Sequence, residues 1–494
     1  MSAPAAPASR AWADRYEMVV GLEVHVQLAT ATKLFCNCPT TFAAPPNANT
    51  CPVCLALPGT LPTLNAHAVE LAVRAALALG CTVHPLSVFA RKNYFYPDLP
   101  KGYQISQFDR PLATGGQVAI GESPEGAPLV AAVTRVHLEE DAGRSIHDRF
   151  DDATAVDLNR AGVPLIEIVG EPDLRSSAEA GAYLRVVRQV VQYVGASAAN
   201  MEEGSLRVDA NVSTRRRGDT GLGTKVEIKN MNSFSAVERA LEVEFARQCA
   251  LREARRPIAQ QTMLWDATSE TVRPARSKED SHDYRYFADP DLPPLVLTSE
   301  WIEARRAALP ELPAARRARL REQFALGGRE TEVLTGDPRL ADYFESVARV
   351  HGDARAAANW VLRDVLAAMN DAGLSLAEFE LRVRPADLAA LLDLVRDGSL
   401  SHTAGARVFA AMVRTGEPPS RIVEREGLRQ VTDDAQLGAW VDAVLAAHAD
   451  EVRRFAAGER KLQGFLVGQV MKRSGGTADP RRVTALLLER VDGR

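Results

Sequence analysis

The chain has 494 residues, of which 46% are hydrophobic and 25% charged, which is the balance of a globular protein large enough for about three domains. No apolar run approaches the roughly 20 residues that a membrane-spanning helix needs, which excludes an integral helical membrane protein. Six cysteines in so long a chain, with no secretory signal, argue against a disulfide scaffold, and a net charge of −5 excludes an overall basic field for nucleic acid.

The predicted elements divide the chain into three parts after a flexible extension over residues 1–15. Residues 16–295 mix strand patterns with helices and Gly/Pro turns, which predicts an α+β domain. The prolines in DPDLPPLVLTS mark the end of this domain, and the pattern of residues 296–415 predicts an all-helical domain. A softer boundary at GEPP precedes a small helical tail over 416–494. Because the cysteines are expected to be reduced, we place the protein in the cytoplasm.

The first predicted strand, MVVGLEVHVQL, alternates apolar and polar residues. Leu22 and Val24 share one face, and Glu23 and His25 share the other, about 6.5 Å apart along the strand. This pair suits two ligands of one divalent ion or an acid/base pair, and a solvated strand face would show the same pattern.

Four cysteines follow in two close pairs, Cys36 with Cys38 and Cys51 with Cys54. Two such pairs separated by a loop are typical of a tetrahedral structural zinc site, so the sequence predicts a zinc knuckle over residues 36–54. Reduced structural thiols or disulfides are the alternatives.

Only 8 of the 59 basic residues are lysines, and several of these stand in polar motifs. RKNYFYPDLPKGYQISQF carries Lys92 and Lys101 among tyrosines and prolines, which indicates a rigid loop for an anionic or nucleotide ligand. SHDYRYFADPD is a second such segment, with Arg285 available for phosphate.

Further carboxylates lie in two strand patterns. RVHLEED places His137, Glu139, Glu140 and Asp141 at a strand end, and strand phase puts Glu139 with His137 but Glu140 on the apolar face. PLIEIVG buries Glu167 within an apolar run, where a carboxylate is costly unless it is paired or bound to metal.

SLRVDANVST and TKVEIKN predict a β-hairpin whose turn is centred on Gly218. This register pairs Val208 with Ile228 and places Asp209 opposite Glu227. Opposed carboxylates repel unless a cation lies between them. The cation is either bound Mg²⁺ or the side chains of Arg207, Lys225 and Lys229.

No G-x-x-x-x-G-K-[ST] phosphate loop and no G-x-S-x-G motif occurs. Any ATP must therefore be held through carboxylate-bound Mg²⁺ and cationic side chains.

These motifs, together with YEMVVGLEVHVQL, DLNRAGVPLIEIVGEPD, MEEGSLRVDANVS, KVEIKNMNSF and GFLVGQVMK, closely resemble the B subunits of aspartyl/glutamyl-tRNA amidotransferases over nearly the whole chain. The resemblance implies a cradle domain built on an antiparallel sheet, similar to the glutamine synthetase catalytic fold. It also implies that the helical and tail domains hold tRNA.

The resemblance also implies roles for the polar residues. Glu23, His25, Glu140 and Glu167 are similar to the ligands of one Mg²⁺, with Glu140 preferred to Glu139 on the motif. Asp209 and Glu227 are similar to the ligands of a second, nucleotide-linked metal. The residues expected to bind substrate or nucleotide are Lys92, Tyr94, Lys101, Gln104, Glu139, Arg207, Lys225, Lys229 and Asn230.

The implied reaction is ATP-dependent phosphorylation of the side-chain carboxylate of misacylated Glu-tRNA(Gln) or Asp-tRNA(Asn), followed by attack of ammonia. The chain has no amidase signature, so the family implies two partners, an amidase (the A subunit) that supplies ammonia and a small C subunit. The tail from Glu459 to Arg494 has 8 basic and 4 acidic residues, compatible with tRNA phosphate contact. The alternatives are a non-catalytic zinc-containing tRNA-binding scaffold and a stand-alone carboxylate–amine ligase.

Overall fold

The computed structural model describes residues 12–122, 126–147, 149–275, 284–431 and 433–492. Two compact units meet in sequence at Pro313 and Ala314. Residues 1–11 of the predicted extension lie outside the described residues. A turn begins at Trp12, and the partly buried indole of Trp12 packs against the core of the first unit. None of the helices in the described residues is long and apolar enough to span a membrane.

The first unit contains all the strands that the structure describes. They are β1 Tyr16–Gln27, β2 Thr82–Val83, β3 Leu86–Ser87, β4 Ala90–Asn93, β5 Tyr103–Ser106, β6 Ala113–Glu122, β7 Pro128–Glu140, β8 Arg144–Ile146, β9 Ala155–Asp157, β10 Pro164–Gly170, β11 Leu206–Arg216, β12 Val226–Lys229, β13 Thr262–Asp266, β14 Thr271–Pro274, β15 Phe287–Ala288 and β16 Leu295–Val296.

The helices of the first unit are α1 Ala66–Ala78, α2 Ser177–Tyr193, α3 Phe234–Glu253 and α4 Ser299–Ala307. The first three begin at side-chain caps, because Asn65, Ser176 and Ser233 each accept a hydrogen bond from a backbone N–H of the first turn.

Nine strands form the central sheet in the order β14-β13-β12-β11-β1-β10-β7-β6-β2, antiparallel except for β12 with β13. On one face, the alternate residues Leu22, Val24 and Val26 of β1 are at most 1% exposed and share a core with α1, α2 and α3. The residues between them point to the opposite, polar face. A mixed α/β unit with one large, mainly antiparallel sheet is therefore confirmed.

The hairpin of β11 and β12 forms, but the predicted register was wrong by two residues. Ala210 pairs with Ile228, and Asn211 rather than Asp209 faces Glu227. The connection is asymmetric, since β11 continues to Arg216 beside β1 whereas β12 begins only at Val226. A shift of two residues preserves the face of each side chain, so Asp209 and Glu227 still point to the polar face.

The first unit extends beyond the predicted boundary at residue 295. α4 packs on α1, and Ile302 belongs to the same core as the sheet. The all-helical second unit comprises α5 Pro313–Phe324, α6 Gly328–Leu334, α7 Pro338–His351, α8 Ala354–Trp360, a π-helical segment Val361–Val365, α9 Leu366–Ala372, α10 Leu376–Arg382, α11 Pro385–Arg396, α12 His402–Thr415, α13 Pro419–Glu426, α14 Asp434–Ala447, α15 Ala449–Ala456, α16 Leu462–Arg473 and α17 Pro480–Asp492.

Two separate cores lie within the second unit. One extends to Leu428, so Ile422 and Val423 of α13 pack with the helices before them. The other begins at Leu437 and is formed by α14 to α17. The separate core of the tail therefore begins after the expected boundary at residue 416.

Candidate active site

The polar face of the central sheet carries charged residues on five neighbouring strands. Because paired residues of antiparallel strands share a face, the register places these side chains in one continuous field. They include Glu227 and Lys229 on β12, Arg207 and Asp209 on β11, Glu23 and His25 on β1, Glu167 on β10, and His137 and Glu139 on β7, and the neutral amide of Asn211 on β11 lies among them.

One cluster within this field contains His25, Glu139 and Glu167, whose ligand atoms all lie within 4.8 Å of one another. Glu167 Oε2 is 3.4 Å from His25 Nε2 and 3.3 Å from His137 Nε2. Glu139 Oε2 is 3.6 Å from His137 Nε2 and accepts a hydrogen bond from Ser106 Oγ at 2.9 Å. An imidazole nitrogen and two carboxylates at this spacing are a donor set that suits a divalent cation.

The charges in this cluster shift one another's protonation. Burial disfavours the charged form of Glu167, but His137 and His25 outweigh it and hold its pKa well below the ordinary value. Burial also opposes the charge on His137, but Glu167 and Glu139 raise the pKa of His137 to about 9. The pKa of the nearby Lys92 is raised by Glu139 and Glu167 against the effect of burial. The cluster is therefore strongly ionised, with cations distributed around its carboxylates.

A second cluster contains Glu23, Asp209 and Glu227, again with ligand atoms within 4.8 Å. Lys229 Nζ contacts Asp209 Oδ2 and lies 3.0 Å from Glu227 Oε1. Burial, and then the charges of Glu167 and Asp209, raise the pKa of Glu23. Lys229 overcomes the effect of burial on Glu227 and lowers the pKa of that carboxyl. The three carboxylates converge around the ammonium of Lys229, and their oxygens are donors that suit a divalent cation.

Glu140 is not part of either cluster, so its expected grouping with Glu23, His25 and Glu167 was wrong. β7 remains regular to its end, and Glu140 therefore points away from the polar face that carries Glu139. Its Oε2 pairs with Lys101 Nζ at 2.5 Å and its Oε1 accepts the backbone N–H of Ile105 at 3.0 Å. Glu23 also differs from expectation, because it groups with Asp209 and Glu227.

The predicted loop residues lie beside the first cluster, on the strands β4 and β5 of the small sheet or in the segment between them. Tyr94 Oη donates to Gln104 Oε1 at 3.0 Å, and Gln104 Nε2 donates to the Glu140 carbonyl at 2.6 Å. Lys92 Nζ lies 5.0 Å from the centre of the Tyr284 ring. Gln104 and Tyr94 thus support the end of β7, whereas Lys92 is close enough to interact electrostatically with Glu139 and Glu167.

The remaining predicted binding residues have different surroundings. Arg207 Nη2 pairs with Asp141 Oδ1 at 2.9 Å at the edge of the polar face. Lys225 is exposed just before β12. Asn230 adopts a left-handed conformation with φ 67°, and its Nδ2 donates to the Trp265 carbonyl at 3.1 Å, so its amide supports the backbone after β12.

The four cysteines of the predicted knuckle converge, and all are free thiols. Cys54 Sγ lies 3.9 Å from Cys51 Sγ and 4.0 Å from Cys38 Sγ. Zinc–sulfur bonds of about 2.3 Å in a tetrahedron put the sulfurs about 3.8 Å apart, so the four donors fit Zn²⁺. A hydrogen bond with Cys36, acting against burial and helped by the charge of Lys33, lowers the pKa of Cys54 to about 4.

Known proteins match this chain along nearly its whole length. Residues 18–303 match the GatB/GatE catalytic domain and residues 342–491 match the GatB domain. The B subunit of the aspartyl/glutamyl-tRNA(Asn/Gln) amidotransferase of Pelodictyon phaeoclathratiforme is 49% identical over 97% of this chain and 100% of that protein. The protein of the same name from Myxococcus xanthus is 47% identical over 96% of this chain and 98% of that protein. The chain belongs to the family of amidotransferase B subunits.

The matched catalytic domain of this amidotransferase chain contains both carboxylate clusters and the four cysteines. It also contains functional candidates that sequence reasoning left out of the predicted site. His137 contacts both Glu139 and Glu167, and Thr262 Oγ1 donates to Glu227 Oε2 at 2.8 Å. Strand alternation with Glu139 was a signal for His137, whereas Thr262 lies on β13, whose parallel pairing with β12 no local pattern predicted.

Proposed function

We propose that this chain catalyses the ATP-dependent amidation of misacylated Glu-tRNA(Gln), Asp-tRNA(Asn) or both. It phosphorylates the side-chain carboxylate of the tRNA-bound amino acid, and ammonia then displaces phosphate to form the amide. The observation that carries this proposal is the convergence of Glu23, Asp209 and Glu227 beside His25, Glu139 and Glu167 on one sheet face. We also assign the large sheet to a cradle similar to the catalytic fold of glutamine synthetases.

The chemistry explains why two clusters are needed. A carboxylate is a poor acyl donor because oxide is a poor leaving group, and phosphorylation replaces oxide by phosphate. Transfer between two anions requires cations that gather and neutralise them, which is what bound Mg²⁺ supplies. Asp209, Glu227 and Glu23 would hold the nucleotide-linked Mg²⁺, and His25, Glu139 and Glu167 the other. Lys92 and Lys229 contribute fixed positive charge near the phosphates, with Lys225 available beside them.

The cysteine cluster is proposed to hold structural Zn²⁺, because four sulfur ligands leave no position open for substrate. Ammonia is proposed to come from an amidase partner, the A subunit, with a small C subunit in the same complex, in the cytoplasm. The helical second unit is proposed to hold tRNA. In its tail Arg482 and Arg490 pair with Asp434 and Asp442, which leaves exposed cations such as Lys472 for phosphates.

The test is amidation of Glu-tRNA(Gln) and Asp-tRNA(Asn) by this chain with its partner subunits, comparing Asp209→Asn with the wild type. We expect ADP and amide formation to fall by about 100-fold or more, since one charge of the nucleotide cluster is lost. Asp219→Asn, at an exposed position of the loop after β11, is the matched control. Wild-type rates in Asp209→Asn would refute the role of this cluster.

The same assay separates the alternatives. If the chain is a non-catalytic scaffold, any loss of amidation in the carboxylate variants should come from weaker tRNA binding and not from slower ADP formation. A stand-alone carboxylate–amine ligase predicts ADP formation with free glutamate in place of aminoacyl-tRNA. We expect tRNA affinity of Asp209→Asn to remain at the wild-type value and free glutamate to be inert.

A further inference from the structure

Lys33 is a buried cation that neither carboxylate cluster uses. Lys33 has one of the largest fully buried side chains among the described residues, with 0% of the residue exposed. Its Nζ donates to the Leu158 carbonyl at 3.2 Å, and no carboxylate of the described residues forms an ion pair with it. A buried ammonium with one neutral acceptor is costly, so a negative partner is expected close by.

The position of Lys33 in the fold points to that partner. Its backbone N–H donates to the Cys38 carbonyl at 2.9 Å, which places Lys33 at the base of the first cysteine pair. A Cβ built on Gly162 would lie 3.4 Å from Lys33 Cδ and 3.8 Å from Cys54 Cβ, so the lysine stem also runs beside the second pair.

The carboxylate closest to the Cβ position of Gly162 is already engaged. Glu140 Oε2 lies 3.8 Å from the same Gly162 Cβ position, but it pairs with Lys101 at 2.5 Å. The cysteine cluster has the larger need for a cation, because four thiolates around Zn²⁺ leave two formal negative charges in a partly buried site.

We propose that Lys33 is the counter-charge of the cysteine zinc site, where its ammonium offsets the excess negative charge of the four thiolates and strengthens zinc binding. This inference rests on the proposed zinc site. The presence of lysine at position 33 supports this role, because only 8 of the 59 basic residues are lysines. A buried arginine would have five N–H donors to satisfy, whereas the ammonium of lysine is a compact charge with three. Lys33 acts on the metal through its charge and is therefore a positioning residue.

The first experiment compares zinc affinity of the full chain and of Lys33→Met by competition with a chromophoric chelator. Methionine keeps the volume and removes the charge, so affinity should fall by roughly 10- to 100-fold, the usual effect of losing an outer partner of a metal site. Lys472→Met removes one positive charge at an exposed position and should bind zinc like the wild type. Unchanged affinity in folded Lys33→Met would overturn the proposal, and a wild type that takes up no zinc would overturn the zinc site as well.

A second experiment covers a variant that does not fold and separates charge from packing. Lys33→Met is combined with Cys38→Ser and Cys54→Ser, which cannot form the four-sulfur site. With zinc bound, Lys33→Met should lower the melting temperature, whereas in the serine background it should leave the melting temperature unchanged or raise it, because no thiolates remain to be neutralised. An equal loss in both backgrounds, or failure to fold in both, would mean that Lys33 is needed for packing alone and would refute its role toward zinc.

Discussion

Glu167 of β10 is paired with His137 of β7, and its Oε2 lies between two imidazoles, 3.3 Å from His137 Nε2 and 3.4 Å from His25 Nε2. One buried carboxylate oxygen thus has an imidazole nitrogen close by on both adjacent strands. Without a divalent ion, protonated histidine provides the positive charge that the cluster requires.

The stability of the protein without divalent cations should depend on pH through His137. Its pKa is about 9 in the fold, because Glu167 and Glu139 outweigh burial, against an ordinary value of 6.5. The folded state binds this proton more tightly, so the stabilisation is complete below about pH 6.5 and is lost as pH rises through about 9. Urea unfolding in EDTA should show a falling free energy of unfolding over that range.

His137→Gln should show a shallower slope, because Glu167 raises the pKa of His25 against burial and that contribution remains. His67→Gln, at an exposed position of α1, should keep the full slope. The same slope in His137→Gln and in the wild type would assign the proton to another group.

Glu139 and Glu140 should respond differently to the same substitution. Glu139→Gln removes a charge from the first cluster and should abolish ADP formation while the protein stays folded. Glu140→Gln breaks a nearly buried pair with Lys101 and should cost about 3 kcal/mol of unfolding free energy, measured in urea. A stable, inactive Glu140→Gln beside an active Glu139→Gln would reverse this assignment.

Lys229 should compete with a divalent cation for the second cluster, since its ammonium contacts both Asp209 and Glu227. Lys229→Met should therefore bind Mn²⁺ more tightly in the absence of nucleotide, measured by electron paramagnetic resonance. The same variant should raise the KM for ATP, because a cation near the phosphates is lost. Weaker Mn²⁺ binding in the variant would show that Lys229 does not compete.

The cysteine cluster should matter for stability and not for chemistry. Cys51→Ser should lose zinc and lower the melting temperature by several degrees, with the amidation rate per folded molecule unchanged. Cys81→Ala, which alters a buried thiol outside the cluster, should retain zinc. Zinc content by mass spectrometry and calorimetry of both variants provide the measurement.

The sequence predicted the face on which each side chain of a strand lies more reliably than it predicted how the strands pair. Alternation in β1 correctly separated Glu23 and His25 from Leu22 and Val24, because side-chain direction is local and has a period of two. The hairpin register was wrong because the pairs are centred on Asp219 and not on Gly218. A shift of two residues keeps every side chain on its face, so the apolar pattern does not distinguish the two registers. Strand phase also placed Glu139 on the polar face, whereas Glu140, which the motif grouped with Glu23, His25 and Glu167, points away from that face because β7 does not bend at its end.

The resemblance implied two sets of ligands, but the grouping of Glu23 with Asp209 and Glu227 was beyond the sequence. Glu23 joins Asp209 because β11 is the neighbour of β1 on one side, and His25 joins Glu167 because β10 is the neighbour on the other. Strand order arises from long connections and shared cores, which no short motif records.

The spacing of the polar field also restricts how this protein can change in length. Glu23 and His25 reach their clusters because each is an even number of positions from the other polar residues of its strand. A single-residue insertion or deletion inside Tyr16–Gln27 would turn Leu22 and Val24 toward the reacting groups and bury two charges among the helices. A change in the length of a loop between strands leaves the two faces of each strand as they are.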